Sequence, residues 1–265
     1  MFELFEFRST LSRVFVQTML TLMVLPFVVP LFAMVQGSLR GQGFGNYKTV
    51  LSVPGVALFF RNSAFIALCA IAIVYVATMM AAFGFSKLRI RGKEVFFWMM
   101  MVALTLPEVV LLSPLFAMAE KFGMYNTFWA VIIPIAALQV PFTVLLTRTY
   151  VDGIPDELFE AARIDGAGTL RMFWNVLVPL SRPMAVAVVV LVLINAWNSY
   201  LLPLVFLIDP NYQVVTLLPQ YFQGQYRNDQ TKVLAGALLS ALPTIVAYVS
   251  LQRYFERGMA AGALK

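Results

Sequence analysis

Six long apolar runs alternate with polar segments along this chain of 265 residues, and the alternation predicts helices that cross a membrane. The runs cover residues 14–35, 63–85, 95–118, 127–146, 184–207 and 233–251. Each has about the 20 residues that an α-helix needs to cross the hydrocarbon core of a bilayer. The first run is too long for the core of a signal peptide, so we expect it to be retained as a span. The predicted fold class is all-α, a polytopic membrane protein with six transmembrane helices in a single domain, residues 1–265.

Prolines interrupt several of these runs. Pro26 and Pro30 lie in the first run, and Pro107 and Pro114 lie in the third. Because proline has no backbone N–H and its ring crowds the preceding turn, we expect the helices to bend there. A short apolar patch at residues 56–60 precedes the second run, and we expect it to lie along the membrane surface.

The longest interval between apolar runs, residues 153–183, has the pattern of a short amphipathic helix. The fixed φ of Pro155 suits a first helical turn, and Gly166 can take the left-handed conformation that ends many helices. Three carboxylates stabilise the positive end of such a helix: Asp156, Glu157 and Glu160. Ala161 and Ala162 leave one side almost without bulk, so that another chain can approach closely. The segment therefore predicts a docking helix between Pro155 and Gly166.

Lysine and arginine lie mainly on one side of the predicted membrane. The side with both chain ends and the docking helix carries Arg8, Arg13, Lys87, Arg89, Arg91, Lys93, Arg148, Arg163, Arg171, Arg182, Arg253, Arg257 and Lys265. The opposite side carries only Arg40, Lys48, Arg61, Lys121, Arg227 and Lys232. Because cytoplasmic segments carry the excess of basic residues, we expect both termini and the docking helix to be cytoplasmic.

Composition excludes several classes of function. Hydrophobic residues make up 61% of the chain and charged residues 12%, there is no histidine, and Cys69 is the only cysteine. Metal sites, histidine-based catalysis and disulfides within the chain are therefore not expected. The net charge of +6 does not indicate nucleic acid as a partner, because the basic residues flank membrane spans. No GxxxxGK[ST] or GxGxxG sequence occurs, so energy for transport would come from a partner or an ion gradient.

The docking segment carries a recognisable motif. Glu160-Ala161-Ala162, then Gly166 and then Pro179 resemble the EAA loop of ABC importer permeases, with valines in place of the isoleucine and leucine before the proline. In that family the loop forms a cytoplasmic coupling helix that sits in a cleft of an ATPase subunit. The resemblance implies a set of ATPase-coupling residues: Glu157, Glu160, Ala161, Ala162, Asp165 and Gly166. The alternative is an ordinary surface helix in which Glu160 and Arg163 form a weak ion pair.

Further motifs extend the resemblance to nearly the whole chain. They include Asn62-Ser63, residues 122–127, residues 195–198, Leu234-Ala235-Gly236 and residues 252–255. These are similar to carbohydrate-importer permeases of the maltose type, and in particular to the second, six-span permease subunit.

The resemblance implies a set of partners in the cytoplasmic (inner) membrane of a prokaryote. They are a second homologous permease, two ATPase subunits that bind ATP and magnesium, and an extracytoplasmic solute-binding protein. The chain itself would hold no cofactor and would not be an enzyme. Residues 209–229, which we expect on the outer face, are a candidate contact for the binding protein.

Uncharged polar and aromatic residues within the runs are candidates for contact with the transported solute. Together with one carboxylate, they give the expected translocation path: Glu108, Gln139, Asn195, Trp197, Asn198 and Tyr200. Amides donate and accept hydrogen bonds, and aromatic faces suit the C–H surfaces of sugars. Hydrogen bonds between helices and an aromatic belt at the membrane interface are the alternative explanation.

Two functional alternatives stay open at this point. A carboxylate at membrane depth, Glu108, is also what an ion-coupled secondary transporter would use. An ABC permease could equally carry a polyol or a sugar phosphate. Ser199 stands where the family usually has an acidic residue, which weakens any inference about the solute.

Overall fold

Helices and the turns between them account for the described part of the chain, in agreement with the all-α prediction. The computed structural model describes residues 10–224 and 229–263, and no β-strand occurs among them. The helices are α1 (Thr10–Ser38), α2 (Gly45–Leu51), α3 (Val56–Lys87), α4 (Lys93–Ala103), α5 (Glu108–Lys121), α6 (Trp129–Asp152), α7 (Asp156–Ile164), α8 (Thr169–Met172), α9 (Val178–Leu180), α10 (Arg182–Asn198), α11 (Leu201–Phe206) and α12 (Gln230–Ala263). Of the cations counted above, Arg8, Arg227 and Lys265 lie outside the described residues, as does the side chain of Arg257.

Four helices are long and apolar enough to cross a membrane. They are Ser12–Ser38 within α1, Val56–Lys87, Trp129–Asp152 and Gln230–Arg253 within α12. Two sharply bent pairs pass the same test, α4 with α5 at 103° and Thr169–Leu180 with α10 at 79°. The described chain thus has four spans, or up to six if each bent pair crosses once, and the count of six stays a prediction.

The third apolar run, 95–118, is interrupted before Pro107, where a bend was predicted, and the fifth, 184–207, is interrupted where no break was predicted. Helix α4 ends at Ala103 and α5 begins after Pro107. Helix α10 ends at Asn198, and α11 begins at Leu201 and contains Pro203. A proline ring clashes with the carbonyl four residues earlier, which is that of Ala103 in the first case and of Ser199 in the second. These clashes favour a helix end at each of the two positions.

The apolar patch at residues 56–60 is also not a separate surface segment. It forms the first turns of α3, which starts at Val56 after Gly55. Gly55 adopts φ 82°, a left-handed conformation that glycine reaches without a steric penalty. Helix α3, which contains the second predicted span, therefore begins at residue 56 and not at the predicted residue 63.

Contacts between residues divide the chain into two compact units. The first unit comprises the chain up to Val53 together with Pro219–Leu239, and the second comprises Pro54–Leu218 together with the chain from Ser240 onward. In the first unit, buried Asn46 donates hydrogen bonds to the carbonyls of Ser38 and Arg40, each at 2.8 Å. These bonds fix the turn that leads from α1 into α2, because a buried amide without partners would be costly.

The core of the second unit is built where α3 packs against α6 and α10. Small and β-branched side chains such as Ala70, Val74 and Val144 are fully buried there. The hydroxyls of Thr78 in α3 and Thr143 in α6 share a hydrogen bond of 2.7 Å. Small residues let helices approach closely, and polar pairs between them hold the register where lipid and core are equally apolar.

Asn62 and Ser63, near the start of α3, hold a distant segment of the second unit through hydrogen bonds. Asn62 donates to the carbonyls of Asn211 at 2.8 Å and Gln213 at 2.9 Å, and the Ser63 hydroxyl accepts the N–H of Val215 at 2.9 Å. The start of α3 is thereby tied to the segment that follows α11. This contact gives the Asn62-Ser63 pair a structural role.

Asn126 ties the turn before α6 to the same segment. Its side-chain oxygen accepts the N–H groups of Ile208 and Asp209, each at 3.0 Å. It adopts φ 56°, which asparagine tolerates better than most other residues. The motif at residues 122–127 therefore builds a specific turn.

Candidate coupling helix and translocation cavity

A short helix, α7, forms between the boundaries that the sequence indicated for the docking helix, and its docking role stays a prediction. Pro155 precedes it with φ −56°, and the carboxylates of Asp156 and Glu157 lie in its first turn. At the other end Gly166 adopts φ 77°. The Gly166 N–H donates to the Arg163 carbonyl at 3.0 Å, and the Ala167 N–H donates to the Ala162 carbonyl at 2.9 Å. This pair of bonds is a Schellman motif, which satisfies the last carbonyls of the helix.

One face of α7 packs onto the rest of the second unit, to which α7 itself belongs. Phe159 is buried, and its ring centre lies 6.1 Å from that of Phe83 in α3. Phe83 in turn lies 5.7 Å from Phe173 in the segment after α8. Ala162 is half-buried against the same cluster, so one of the two small residues serves contact within the chain. Burying an aromatic side chain of this size contributes roughly 1.5 to 3 kcal/mol, which holds the short helix against the spans.

The opposite face of α7 carries most of the residues that the motif singled out. Exposed here are Glu157, Glu160, Ala161, Asp165 and Gly166. Ile164, an apolar residue, is 87% exposed beside them. No ion pair joins Glu160 to Arg163 in this part of the described chain, so the weak pair of the alternative explanation does not form. The face offers carboxylates next to apolar surface, a combination suited to a protein partner.

Lysine 87 makes a contact with α7 that sequence reasoning missed. Its ammonium donates to the Asp156 carboxylate at 2.6 Å and to the Ile154 carbonyl at 2.7 Å. The hydrogen bond from Lys87 holds the pKa of the Asp156 carboxyl below its ordinary value. The sequence analysis treated Lys87 only as one of the charges that set topology. No local spacing links residues 69 positions apart, so no motif could have revealed the pair.

Arg148, near the end of α6, makes a second such link. Its guanidinium pairs with both carboxylate oxygens of Glu94 in α4, at 2.7 and 3.0 Å. It also lies 4.2 Å from the centre of the Phe97 ring. Forked pairing of this kind fixes orientation as well as distance. Side chains therefore join the start of α4 to the end of α6, the two ends that we predict to be cytoplasmic.

A cavity of about 400 Å³ brings together five of the six residues predicted for the translocation path. Its polar lining consists of Glu108, Gln139, Asn195, Asn198, Ser199 and Tyr200. The helix breaks create this lining. Glu108 begins α5 just after the bend at Pro107, and Ser199 and Tyr200 lie in the gap between α10 and α11. Ile135, Leu138 and Ile194 supply apolar surface between the polar groups.

The chemistry of the cavity is that of a site for a polar solute. Its amides can donate and accept hydrogen bonds, and Tyr200 adds an aromatic face. Glu108 is the one ionisable carboxylate in the lining. Ser199 lines the cavity while its carbonyl accepts a bond from the Thr216 hydroxyl at 2.8 Å. Among the described residues, no cluster of side chains could hold a metal ion.

Trp197 is the predicted path residue that does not line the cavity. Its indole N–H donates to the Ser240 carbonyl at 2.9 Å, and the side chain is buried. The Ser240 hydroxyl donates in turn to the Val215 carbonyl at 2.8 Å. Trp197 therefore joins α10 to α12, whereas its neighbours Asn195 and Asn198 reach the cavity.

An all-helical membrane core, a short exposed helix with an EAA sequence and a polar cavity between broken helices together define the transmembrane subunit of a transporter. The chain belongs to the family of binding-protein-dependent transport system inner membrane components, whose sequence pattern matches residues 73–261. Members of this family are permease components of ABC importers, embedded in the inner membrane.

Individual relatives agree with the family assignment. The chain is 33% identical over 211 residues, 80% of its length and 70% of the relative's, to a probable ABC transporter permease protein, YurM of Bacillus subtilis. It is 28% identical over 251 residues, 89% of its length and 91% of the relative's, to the melibiose/raffinose/stachyose import permease protein MelC of Bacillus subtilis. A chain of a bacterial ABC transporter involved in alginate import has the same fold, with a TM-score of 0.77 and 23% identity over 95% of this chain and 100% of that one.

Proposed function

We propose that this chain is the second, six-span permease of an ATP-driven importer for a sugar or a related neutral solute. It would form the translocation path together with a homologous permease. Two ATPase subunits on the cytoplasmic side would bind ATP and magnesium, while the chain itself holds no nucleotide. The observation that carries the proposal is α7, whose buried face fixes it to the spans while its acidic face stays exposed.

The proposed mechanism converts closure of the ATPases into movement of the spans. When ATP closes the two ATPases, they draw together the α7 helices of the two permeases. Each α7 is packed through Phe159 onto Phe83 of α3, so the spans move with it. The path then changes from inward-facing to outward-facing, and ATP hydrolysis resets it. Packed helices with two discrete arrangements are a common means of transmitting such movements.

The proposed solute follows from the cavity and from the relatives. Amide and hydroxyl groups beside one carboxylate favour an uncharged, hydroxyl-rich molecule over an anion, because an anion near Glu108 would be repelled. The name of the relative MelC assigns melibiose, raffinose and stachyose to that protein. We therefore propose neutral oligosaccharides as the first solutes to test, and a sugar phosphate as the less favoured alternative.

The proposed orientation places both termini and α7 in the cytoplasm and residues 209–229 outside, where they would contact the solute-binding protein. Lys87, Arg89 and Lys93 line a cleft together with Asp156 and Arg163 of α7. The basic segment after α3 and the coupling helix therefore lie at the same end of the second unit. This arrangement supports a cytoplasmic α7, because basic residues concentrate on the cytoplasmic side.

Reversing a charge on the exposed face of α7 tests the proposal. Glu160→Arg should leave membrane insertion intact, lower recovery of the ATPase subunits with the purified chain by about tenfold or more, and abolish uptake of labelled melibiose or raffinose. Glu120→Arg makes the same charge reversal at another exposed position, at the end of α5, and should leave ATPase recovery unchanged. Normal ATPase recovery and uptake with Glu160→Arg would contradict the proposal.

The ion-coupled alternative rests on Glu108. That residue is a lone carboxylate in the cavity lining, without a second acidic or basic group beside it there. Coupling to protons or cations generally uses several titratable groups along a path. The family assignment and the lining together favour ATP-driven transport.

A further inference from the structure

We propose that Lys87 is a positioning residue that fixes the entry of the coupling helix to α3, so that α7 and α3 move as one body. This inference rests on the proposed function of α7 and assigns the means of transmission to a particular side chain. Lys87 is the last residue of α3, and its two partners, Ile154 and Asp156, stand on either side of Pro155.

The geometry around Lys87 is that of a fixed anchor. The side chain of Lys87 is 6% exposed, whereas that of its partner Asp156 is 77% exposed. The Lys87 ammonium therefore contacts α7 from its buried side, and it lies 5.3 Å from the centre of the Phe159 ring. A shielded ammonium that donates two bonds is screened less by salt than an exposed pair. Because the φ of Pro155 is fixed by its ring, holding the residues on both sides of it defines where α7 begins.

Other ion pairs of the described chain do not perform this task. Arg148 of α6 pairs with Glu94 of α4 and lies 3.8 Å from Asp152 of its own helix, so these pairs connect α6 to α4 and not to α7. Lys232 pairs with Asp229, three residues away in the sequence. Within the described ranges, the Lys87 pair is the ion pair that connects α7 to a span. The apolar packing of Phe159 keeps α7 on the surface of the unit, while Lys87 fixes its position along that surface.

Lys87 is linked through α3 to the helices that line the cavity. Helix α3 packs against both α6 and α10. Those two helices carry Gln139, Asn195 and Asn198, which line the cavity. A displacement of α7 that is transmitted to α3 therefore reaches the residues that would face the solute. If α7 could slide on Phe159 instead, part of the movement would be lost before it reached α3.

A distance measurement in the complete transporter tests this inference without knowledge of the solute. Spin labels are attached at Ile164→Cys in α7 and Leu68→Cys in α3, both exposed positions, with Cys69 replaced by serine. Distances are recorded with ATP and vanadate and without nucleotide. In parallel, the stimulation of ATP hydrolysis by the binding protein is measured. The variants are Lys87→Met, which keeps the aliphatic stem, and Lys87→Arg, which keeps the charge.

We expect one narrow distance distribution for the unsubstituted chain in both states. Lys87→Met should broaden it while ATPase recovery stays normal, and should lower the stimulation of hydrolysis about fivefold or more, a typical size of coupling between sites. Lys87→Arg should restore most of both readouts. Lys232→Met removes an equal charge from the pair with Asp229 and should leave the distance distribution unchanged.

Each other outcome decides against either the anchor or the coupling role of α7. A narrow distribution and full stimulation with Lys87→Met would overturn the anchor, as would an equal broadening of the distribution with Lys232→Met. Should Lys87→Met prevent accumulation of the protein, Asp156→Ala replaces it, because alanine removes the acceptor of the Lys87 ammonium, and an unchanged distribution in that variant is equally contradictory. If Glu160→Arg leaves ATPase binding unaffected, the proposed function itself fails, and this result is distinct from failure of the anchor.

Discussion

Single polar side chains fix several turns of a protein whose interior is otherwise apolar. Asn62 is 1% exposed and donates to two backbone carbonyls far along the chain. Trp197 donates its indole N–H to Ser240 and so connects two long helices. A few such bonds matter more here than in a soluble core, because helices in lipid lack a strong hydrophobic force that would hold their register.

Removing the Asn62 amide should destabilise the protein measurably. Asn62→Leu leaves the carbonyls of Asn211 and Gln213 without their donor, at a cost of about 1 to 3 kcal/mol. Asn211→Ala is a matched control, since only the main-chain carbonyl of Asn211 accepts the bond from Asn62. We expect a clear fall in the thermal unfolding temperature of the detergent-solubilised chain for Asn62→Leu and a small one for Asn211→Ala. Equal falls would show that the amide has no special role.

Helix breaks, which the sequence predicted only in part, shape the cavity at the scale of elements. Pro107 and Pro203 each follow a helix end by four or five residues, and the lining residues Glu108, Ser199 and Tyr200 lie next to those breaks. Yet Pro114 lies inside α5 without ending it. The residue type alone therefore does not determine whether a helix bends, breaks or continues, because neighbouring helices decide how the freed backbone groups are satisfied.

The start and end of α7 were predictable because local chemistry determines them. Pro155 and Gly166 act within a few residues of the helix, and both positions appear in the structure as expected. The contacts that hold α7 in place were not predictable. Lys87 is separated from Asp156 by 69 positions, and Phe83 from Phe159 by a similar stretch, so only the packed fold brings them together. Five of the predicted path residues share a cavity, but no local pattern distinguished Trp197 from them.

Two glycines after α7 provide a matched test of how the helix ends. Gly166 has φ 77°, whereas Gly168 has φ −69°, and a Cβ at either position would meet open space. Gly166→Val should cost about 1 to 2 kcal/mol of backbone strain and distort the Schellman turn, so ATP-driven uptake should be lost while insertion is kept. Gly168→Val should retain uptake. Transport assays in membrane vesicles distinguish the two, and equal activity would show that the turn does not position the helix.

At the scale of the whole molecule, the chain is a permease component of an ABC importer, and we propose that its energy comes from partner ATPases. Its family is that of binding-protein-dependent transport system inner membrane components. Two kinds of surface are exposed on the described chain: the acidic face of α7 and the long apolar surfaces of helices such as α1. These suit a protein partner on one side and lipid or another permease around the helices.

The most direct measurement of the central claim is solute accumulation in proteoliposomes that contain the purified chain, with and without its partners. Labelled melibiose and raffinose serve as probes, and an ion gradient or internal ATP supplies energy. The account predicts no uphill accumulation by the chain alone under either condition, and ATP-dependent accumulation once the second permease, the ATPases and the binding protein are present. Accumulation by the lone chain, driven by an ion gradient, would contradict it.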